Sequence, residues 1–392
     1  MLAMIERPFW RQRLELAWRE VPIVWLSGVR RSGKTTLAQS LVDEPVHFIN
    51  CDLPAVADMV GDPVRFYRGL KHSVLVLDEV HQLSDPSRLL KIGADMFPKL
   101  RILATGSSTL AASKKFRDTL TGRKRQVHLP PVLFEELTAF GDVSLDRRLS
   151  HGGLPPALLA PTKQAGFYRE WMDSFFARDI QRLFGFRDFN KFNALFEYVL
   201  RQSGGQFEMT KAATALGVAR PTVESQLEAL EITHAAIRVR PFHSGGQQEV
   251  VKMPKVYAFD TGFVSFARGW DPLRASDKGV LWEHVVLEHL LAHFPHQPVH
   301  YWRDKAGHEV DFVLVRNRDA VDAIECKWNP AEFDPANLKV FRASYPKGEN
   351  YVVSPISTAS YGKRWGAVEV TVCAPGEMSA IKPPVVKLRG RR

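Results

Sequence analysis

Cysteine is scarce in this chain. Three among 392 residues, Cys51, Cys326 and Cys373, are too few and too scattered for a disulfide framework or a cysteine-built zinc site. Long apolar runs are missing too, and none approaches the ~18 consecutive residues a membrane span requires. The opening MLAMIERPFWRQRLELAW carries charge throughout and lacks the apolar stretch and cleavage site of a signal peptide. There is no internal repeat and no long low-complexity tract. These absences lead us to expect a cytoplasmic protein with no membrane role. Acidic residues are the minority charge, 43 Asp plus Glu against 53 Lys plus Arg, so the net charge is +10 and a nucleic-acid or phosphate partner fits. The rest is ordinary globular composition, 45% apolar and 24% charged, with length for two to four domains.

Four β-rich runs occur in the first hundred or so residues: Ile23–Leu26, Val46–Asp52, Val74–Asp78 and Arg101–Thr105. Runs such as IVWL and VLVL are apolar on both faces, as strands of a parallel sheet covered by helices must be. The pattern predicts an α/β P-loop core over residues 1–130. A mostly helical lid and linker is expected at 131–190, a winged helix-turn-helix at 191–260, and an α+β domain at 275–380.

The strongest motif is Gly28-Val-Arg-Arg-Ser-Gly33-Lys34-Thr35, directly after IVWL and before the helical TLAQSLV. It satisfies G-x-x-x-x-G-K-[ST] in its required strand–loop–helix setting. Backbone N–H groups of Gly28, Arg30, Arg31, Ser32 and Gly33 would curl around ATP phosphates, with Thr36 at the helix start. Lys34 would reach the β- and γ-phosphates, and the Thr35 hydroxyl would ligate Mg²⁺. VLVL then ends in Asp78-Glu79, an acidic pair at the carboxyl edge where α/β sheets present ligands. Asp78 is expected to hold the metal and Glu79 to activate the attacking water. Thr105 and Ser107, after the next strand, either contact that water and the γ-phosphate or cap a helix. Six of the twelve residues from Lys114 to Arg125 are basic. Within them Arg123 would supply a positive charge to the γ-phosphate, in cis or from a neighbouring subunit; the alternative is a solvated basic loop.

Met209–Leu230 has the form of two short helices around Gly217, with Pro221 in the first turn of the second, where its missing N–H costs nothing. The β-like runs on either side of HSGGQQ would form a wing. Lys211, Arg220, Thr222, Arg238 and Arg240 are candidate contacts to DNA phosphates; the alternative is a winged helix used for packing. Further on, Asp311 and Glu325-Cys-Lys327 lie in neighbouring predicted strands. Residues i and i+2 of a strand share a face, so two carboxylates and a lysine converge, with Glu283 of the preceding helix as a third acid. Such a set either holds Mg²⁺ or forms a salt-bridge cluster.

The order of these parts resembles a widespread prokaryotic family of AAA+-like ATPases with a C-terminal restriction-endonuclease-like core of unknown function. The resemblance rests on SGVRRSGKTTL, VLVLDEVHQL, ILATGSSTL, LTGR with LPPVLFEEL, HGGLPPALL, FFARDIQRLF, the helix-turn-helix, PKVYAFDTG, and EVDFVLV with AIECKW. It implies Walker A and B roles for Lys34, Thr35, Asp78 and Glu79, and a sensor at Thr105 or Ser107. It also implies a PD-(D/E)xK-like set of Asp311, Glu325 and Lys327. The proline before the first acid is absent, the residues being His308-Glu309-Val310-Asp311. The expectation is an ATPase that forms a homo-oligomeric ring, a hexamer being one option, and that moves or remodels duplex or branched DNA. A nucleotide-dependent switch acting on a protein, and an ATP-regulated nuclease, are the alternatives.

Overall fold

The computed structural model describes residues 5–41, 46–106, 120–243, 253–357, 359–366 and 368–380. Its first layer is a five-stranded parallel sheet of β1 (Ile23–Ser27), β2 (Val46–Asn50), β3 (Val74–Asp78), β4 (Arg101–Gly106) and β5 (Lys124–His128), in the order β2-β3-β4-β1-β5. All five residues of β1 and of β3 are buried, which accounts for their unbroken apolar runs. Alternate side chains serve opposite faces. Trp25, Leu75, Leu77 and Ile102 enter one core with Tyr67 and Leu89. Val24, Leu26, Val76 and Leu103 enter the other with Trp10, Leu14 and Leu37.

β5 was not anticipated. Its sequence, KRQVH, sits at the sheet edge with no position fully buried, so it has no apolar signature. Pairing with β1 in register Ile23↔Lys124 to Ser27↔His128 defines it. The last two residues of the expected basic loop, Lys124 and Arg125, belong to this strand.

An aromatic core follows. Trp171 and Phe175 of the helix Ala165–Phe175, Phe192 and Phe196 of the helix Phe189–Gln202, and Phe259 and Phe263 stack within 4.9–6.4 Å of one another. The helices Met209–Leu216 and Arg220–Ile232 are joined through Gly217 at φ 62°, with Pro221 in the first turn of the second. β6 (Gly205–Gln206), β7 (Ala236–Pro241) and β8 (Lys255–Ala258) form a small antiparallel group beside them.

β7 also pairs in parallel with β9 (Val299–Arg303), through Arg240↔His300 and Pro241↔Tyr301. The expected wing and C-terminal units therefore share one nine-stranded sheet. It continues through β10 (Glu309–Val315), β11 (Val321–Cys326), β12 (Asn350–Val353), β13 (Tyr361–Trp365) and β14 (Val368–Cys373), in the order β13-β14-β12-β11-β10-β9-β7-β8-β6. The long helix Ala275–His293 buries Leu281, Trp282, Val285 and Val286 against the core that this sheet shares with the aromatic helices. No helix among the described residues is long and apolar enough to cross a membrane.

Candidate nucleotide site

Because β1 and β3 are separated by one strand, their carboxyl ends open side by side. The loop after β1 needs its glycines. Gly28 (φ 152°) has a carbonyl, Leu129 O, 2.4 Å from where a Cβ would stand, and Gly33 (φ 94°) begins the helix Lys34–Gln39 in left-handed conformation. Lys34 is buried and donates from Nζ to Gly28 O (2.8 Å) and Val29 O (3.0 Å). Burial pulls its ammonium below the usual lysine value, against the attraction of Glu79, Asp179 and Asp78.

Thr35 donates from Oγ1 to Asp78 Oδ2 at 2.9 Å. Thr105 donates from its own hydroxyl to Asp78 Oδ1 at 2.6 Å and accepts the Glu79 N–H at 3.0 Å. Thr35 and Thr36 are exposed at the rim. Hydroxyl and carboxylate oxygens at an exposed edge are the hard donors magnesium takes, so the residues present fit a nucleotide-bound Mg²⁺. Thr105, fully buried, holds the acidic pair in place rather than facing the rim. Glu79 turns out of the strand at φ 53° and lies 3.3 Å from His81 Nδ1. Burial raises its carboxyl pKa, opposed by Lys34, which shifts it toward the range where a general base works.

The loop is also gripped from outside, by contacts the sequence did not announce. Arg7 forms a bidentate pair with Glu136 (2.7 and 2.6 Å) and donates a third bond to Ser32 O at 3.2 Å. Trp171 Nε1 donates to Arg30 O (3.1 Å), and the Arg30 guanidinium lies 3.5 Å from the buried Asp179, in a π-helical turn, Phe176–Ile180. Arg31 reaches Glu170 at 3.0 Å. On the other flank the His128 and His234 rings lie 4.1 Å apart, and burial, with the Lys34 charge, pushes His128 down to about 4.

Some expected positions fall elsewhere. Arg123 pairs with Asp95 at 2.5 Å, and its carbonyl accepts from Ile23 N, at the start of β1. It therefore sits at the opposite edge of the sheet from the phosphate loop, and a γ-phosphate contact in cis is excluded. Ser107 lies outside the described residues. Among the DNA-contact candidates, Lys211, Arg220 and Arg240 are exposed and Thr222 is half-buried. Lys211 is paired with Glu208 (2.8 Å). Arg238 is 15% exposed and bound to Glu231 (2.6 Å), so its charge is spent within the fold and it is withdrawn as a phosphate contact.

The C-terminal set does come together, with one addition. Register Phe312↔Ile324 sets Asp311 opposite Glu325, and Lys327 Nζ lies 2.9 Å from Glu325 and 3.8 Å from Asp311. Lys255, from β8, enters the same cluster: its Nζ is 2.9 Å from Glu283 and 2.6 Å from Glu309. Tyr257 donates to Glu283 at 2.5 Å, and Asp311 accepts from Cys326 N at 2.8 Å. Burial opposes the Lys255 charge, but Glu283, Asp311 and Glu309 outweigh it and hold the ammonium well above its usual value. With that cation among the acids, the expected second Mg²⁺ site at Glu283, Asp311, Glu325 and Lys327 does not fit the residues present. Glu325 is itself pushed up to about 8, by burial first and by Asp311 next.

Comparison with known proteins places these features. Residues 20–138 match the model of the AAA domain, residues 142–274 that of a domain of unknown function, DUF8612, and residues 278–371 that of another, DUF4143. The uncharacterized protein Rv2008c of Mycobacterium tuberculosis is 27% identical over 79% of this chain and 71% of its own length. Among solved structures, a Walker-type ATPase of Pyrococcus abyssi aligns with 15% identity and a TM-score of 0.44, covering 67% of this chain and 96% of that one. The Thermotoga maritima RuvB Holliday junction branch migration motor aligns with 19% identity and a TM-score of 0.31, over 60% and 90%. The parallel sheet with its phosphate loop and matched AAA domain is an α/β, AAA+-like P-loop ATPase module.

Proposed function

We propose that the chain couples ATP hydrolysis to movement on, or remodelling of, duplex or branched DNA, working as a homo-oligomeric ring. The observation that carries the catalytic half is the continuous bond series Thr35–Asp78–Thr105–Glu79 N beside Lys34. A triphosphate in the loop would compete with Gly28 O and Val29 O for the Lys34 ammonium. Thr35 and Asp78 would hold a magnesium ion, which when bound neutralises phosphate charge. Glu79, fixed by its N–H to Thr105, would orient water and take its proton. Arg123, excluded in cis, would have to give up its pair with Asp95 to serve a neighbouring subunit's site.

Support for the DNA half is the +10 charge and the exposed Lys211, Arg220 and Arg240 around the paired helices. A specific observation favours a second reading. Arg238 and Lys211 are already paired with Glu231 and Glu208, leaving fewer free cations for a phosphate backbone. A nucleotide-dependent switch acting on a protein would use the same surface for packing. The nuclease alternative has the Lys255 ammonium against it.

ATP turnover measured against duplex, single-stranded and junction DNA separates the two. The motor reading expects DNA to raise the rate and salt to weaken binding steeply; an unchanged rate with all three DNAs refutes it and leaves the switch. Lys34→Ala should lose nucleotide binding, while Glu79→Gln should bind without turnover. Normal hydrolysis by both variants would remove the site from this loop.

A further inference from the structure

The segment after β5 turns beneath the long helix. There Glu135, in the short helical turn Phe134–Glu136, meets His289 and His293, one turn apart on Ala275–His293. Glu135 Oε2 is 2.9 Å from His289 Nδ1, and Oε1 is 2.7 Å from His293 Nε2. The two imidazoles stack with centroids 4.0 Å apart. One ligand atom from each of the three residues lies within 4.8 Å of the others. His289 is 1% exposed; its Nδ1 is held by Glu135, while its buried Nε2 has no hydrogen-bond partner. A ring nitrogen buried without a bond carries a cost on the order of 1–3 kcal/mol, so the cluster as it stands is not fully satisfied.

We propose that Glu135, His289 and His293 form a binding site for a divalent transition metal, zinc foremost. Two imidazoles at i and i+4 with one carboxylate make a mixed nitrogen–oxygen set suited to such ions and unsuited to calcium or magnesium. At bond lengths of ~2.1 Å, tetrahedral ligand atoms stand about 3.4 Å apart, so the observed pairs need to open by about half an ångström. Glu135 and His293 retain 22% and 12% side-chain exposure, which leaves the fourth position to solvent. The Arg13 guanidinium donates to His293 O at 3.1 Å and faces Glu135. Its charge opposes a second cation and sets the affinity below that of a closed four-ligand site.

The site's place in the fold gives it a consequence. It ties the turn after β5 to the long helix. The next residue, Glu136, holds Arg7, whose guanidinium bonds Ser32 O in the phosphate loop. A bound ion therefore stiffens the support behind that loop without touching nucleotide.

The test uses the full chain, stripped with chelator and titrated with Zn²⁺ against a chromophoric competitor. Unfolding temperature and the visible spectrum of the Co²⁺ form serve as independent readouts. One tightly held ion per chain and a raised unfolding temperature are expected. Glu135→Gln, nearly isosteric, and His293→Ala, at the half-open side, should each weaken binding on the order of 100-fold or more, above the ~10–100-fold typical of groups that only orient ligands. Lys34→Ala should bind zinc normally, which separates this site from any metal carried in by nucleotide. Wild-type protein that retains no zinc, or variants that retain it as tightly as wild type, would overturn the proposal.

Discussion

Lys255→Met tests the reading of the C-terminal cluster most directly. The ammonium lies 2.9 Å from Glu283 and 2.6 Å from Glu309, and its side chain is 5% exposed. Methionine keeps the length and apolar stem but leaves Glu283 with no cation, only the Tyr257 hydroxyl, and Glu309 with Arg303 alone (2.7 Å), with a third acid, Asp311, close by. Removing one partner of a buried ion pair costs about 3–5 kcal/mol, mostly as the uncompensated charge left behind. Partial exposure of the two glutamates argues for the lower end, about 3 kcal/mol.

The pH dependence has a definite sign. Burial already raises the Glu283 carboxyl, and the loss of Lys255, which opposes that shift, raises it further. A carboxyl whose folded pKa lies above its unfolded value subtracts stability as pH rises above the unfolded value, ~4.3. The gap between wild type and Lys255→Met should therefore be widest at neutral pH and close as the solution is acidified toward pH 4. Adding Glu283→Gln should recover part of the loss, and the four proteins form a double-mutant cycle with a coupling energy of about 1–3 kcal/mol. The vacated space is then faced by the Glu283 and Glu309 carboxylates, the first of them without a cation. Millimolar Mn²⁺ should raise the unfolding temperature of Lys255→Met and leave wild type unchanged. Urea unfolding followed by circular dichroism, at several pH values and with and without Mn²⁺, measures all of this. A variant within 0.5 kcal/mol (order of a neutral surface change) of wild type at every pH would refute the claim that an internal cation fills the site.

Three further outcomes follow from other contacts. Thr105→Val keeps the shape but leaves Asp78 Oδ1 a bond short and the Glu79 N–H unpaired. It should cost about 2–4 kcal/mol in unfolding experiments and lower kcat for ATP much more than it alters KM. Glu325→Gln removes a carboxyl held at about 8. Ionising that group costs the folded state, so the glutamine variant should gain on wild type as pH rises from ~4.5 to 8 and level off beyond; a gap constant with pH would contradict the assigned burial. Arg7→Met breaks the bidentate pair with Glu136 and the bond to Ser32 O. It should destabilise by about 3–5 kcal/mol and weaken nucleotide binding in a filter or fluorescence assay, and unaltered nucleotide affinity would dissociate Arg7 from the loop.

How far these features could be read from the sequence depends on how local their causes are. The phosphate loop and its strand were legible because geometry there is written in consecutive residues: Gly28 and Gly33 at left-handed backbone, IVWL on both faces of a buried strand. The pairing of Asp311 with Glu325 was legible through strand periodicity, and the structure adds only the register. What was hidden is long-range. Lys255 and Glu309 are brought together by the pairing of β7 with β9, which fuses two segments that read as separate units. β5 has no apolar pattern because an edge strand at a basic turn needs none. Arg123 looked available because its chain neighbours are basic, and only the register of β5 on β1 shows which edge of the sheet it occupies. The one local signal for the Glu135 cluster is His289 and His293 at i, i+4; the carboxylate that joins them stands 158 residues before His293, where no local pattern connects it to them.

The contacts around the loop bear on how hydrolysis would be felt by the rest of the chain. Three separate contacts hold the loop, two on its backbone and one on a side chain: Arg7 at Ser32 O, Trp171 at Arg30 O, and Asp179 at the Arg30 guanidinium. Trp171 belongs to the aromatic core that also contains Phe259, just after β8, and Phe263 of the helix Thr261–Arg268. β8 carries Lys255 into the C-terminal cluster. A shift of Arg30 on phosphate binding would thus press on a close-packed aromatic stack, and such a stack transmits displacement because it has no slack to absorb it. The path is contiguous from Lys34 to Glu283, but contiguity alone is not coupling. Coupling requires that nucleotide change the energetics at the far end. The Lys255→Met penalty, measured with and without a non-hydrolysable ATP analogue, supplies the number: a difference of about 1 kcal/mol or more would establish the link, and identical penalties would show that the stack is rigid structure with no signal passing through it.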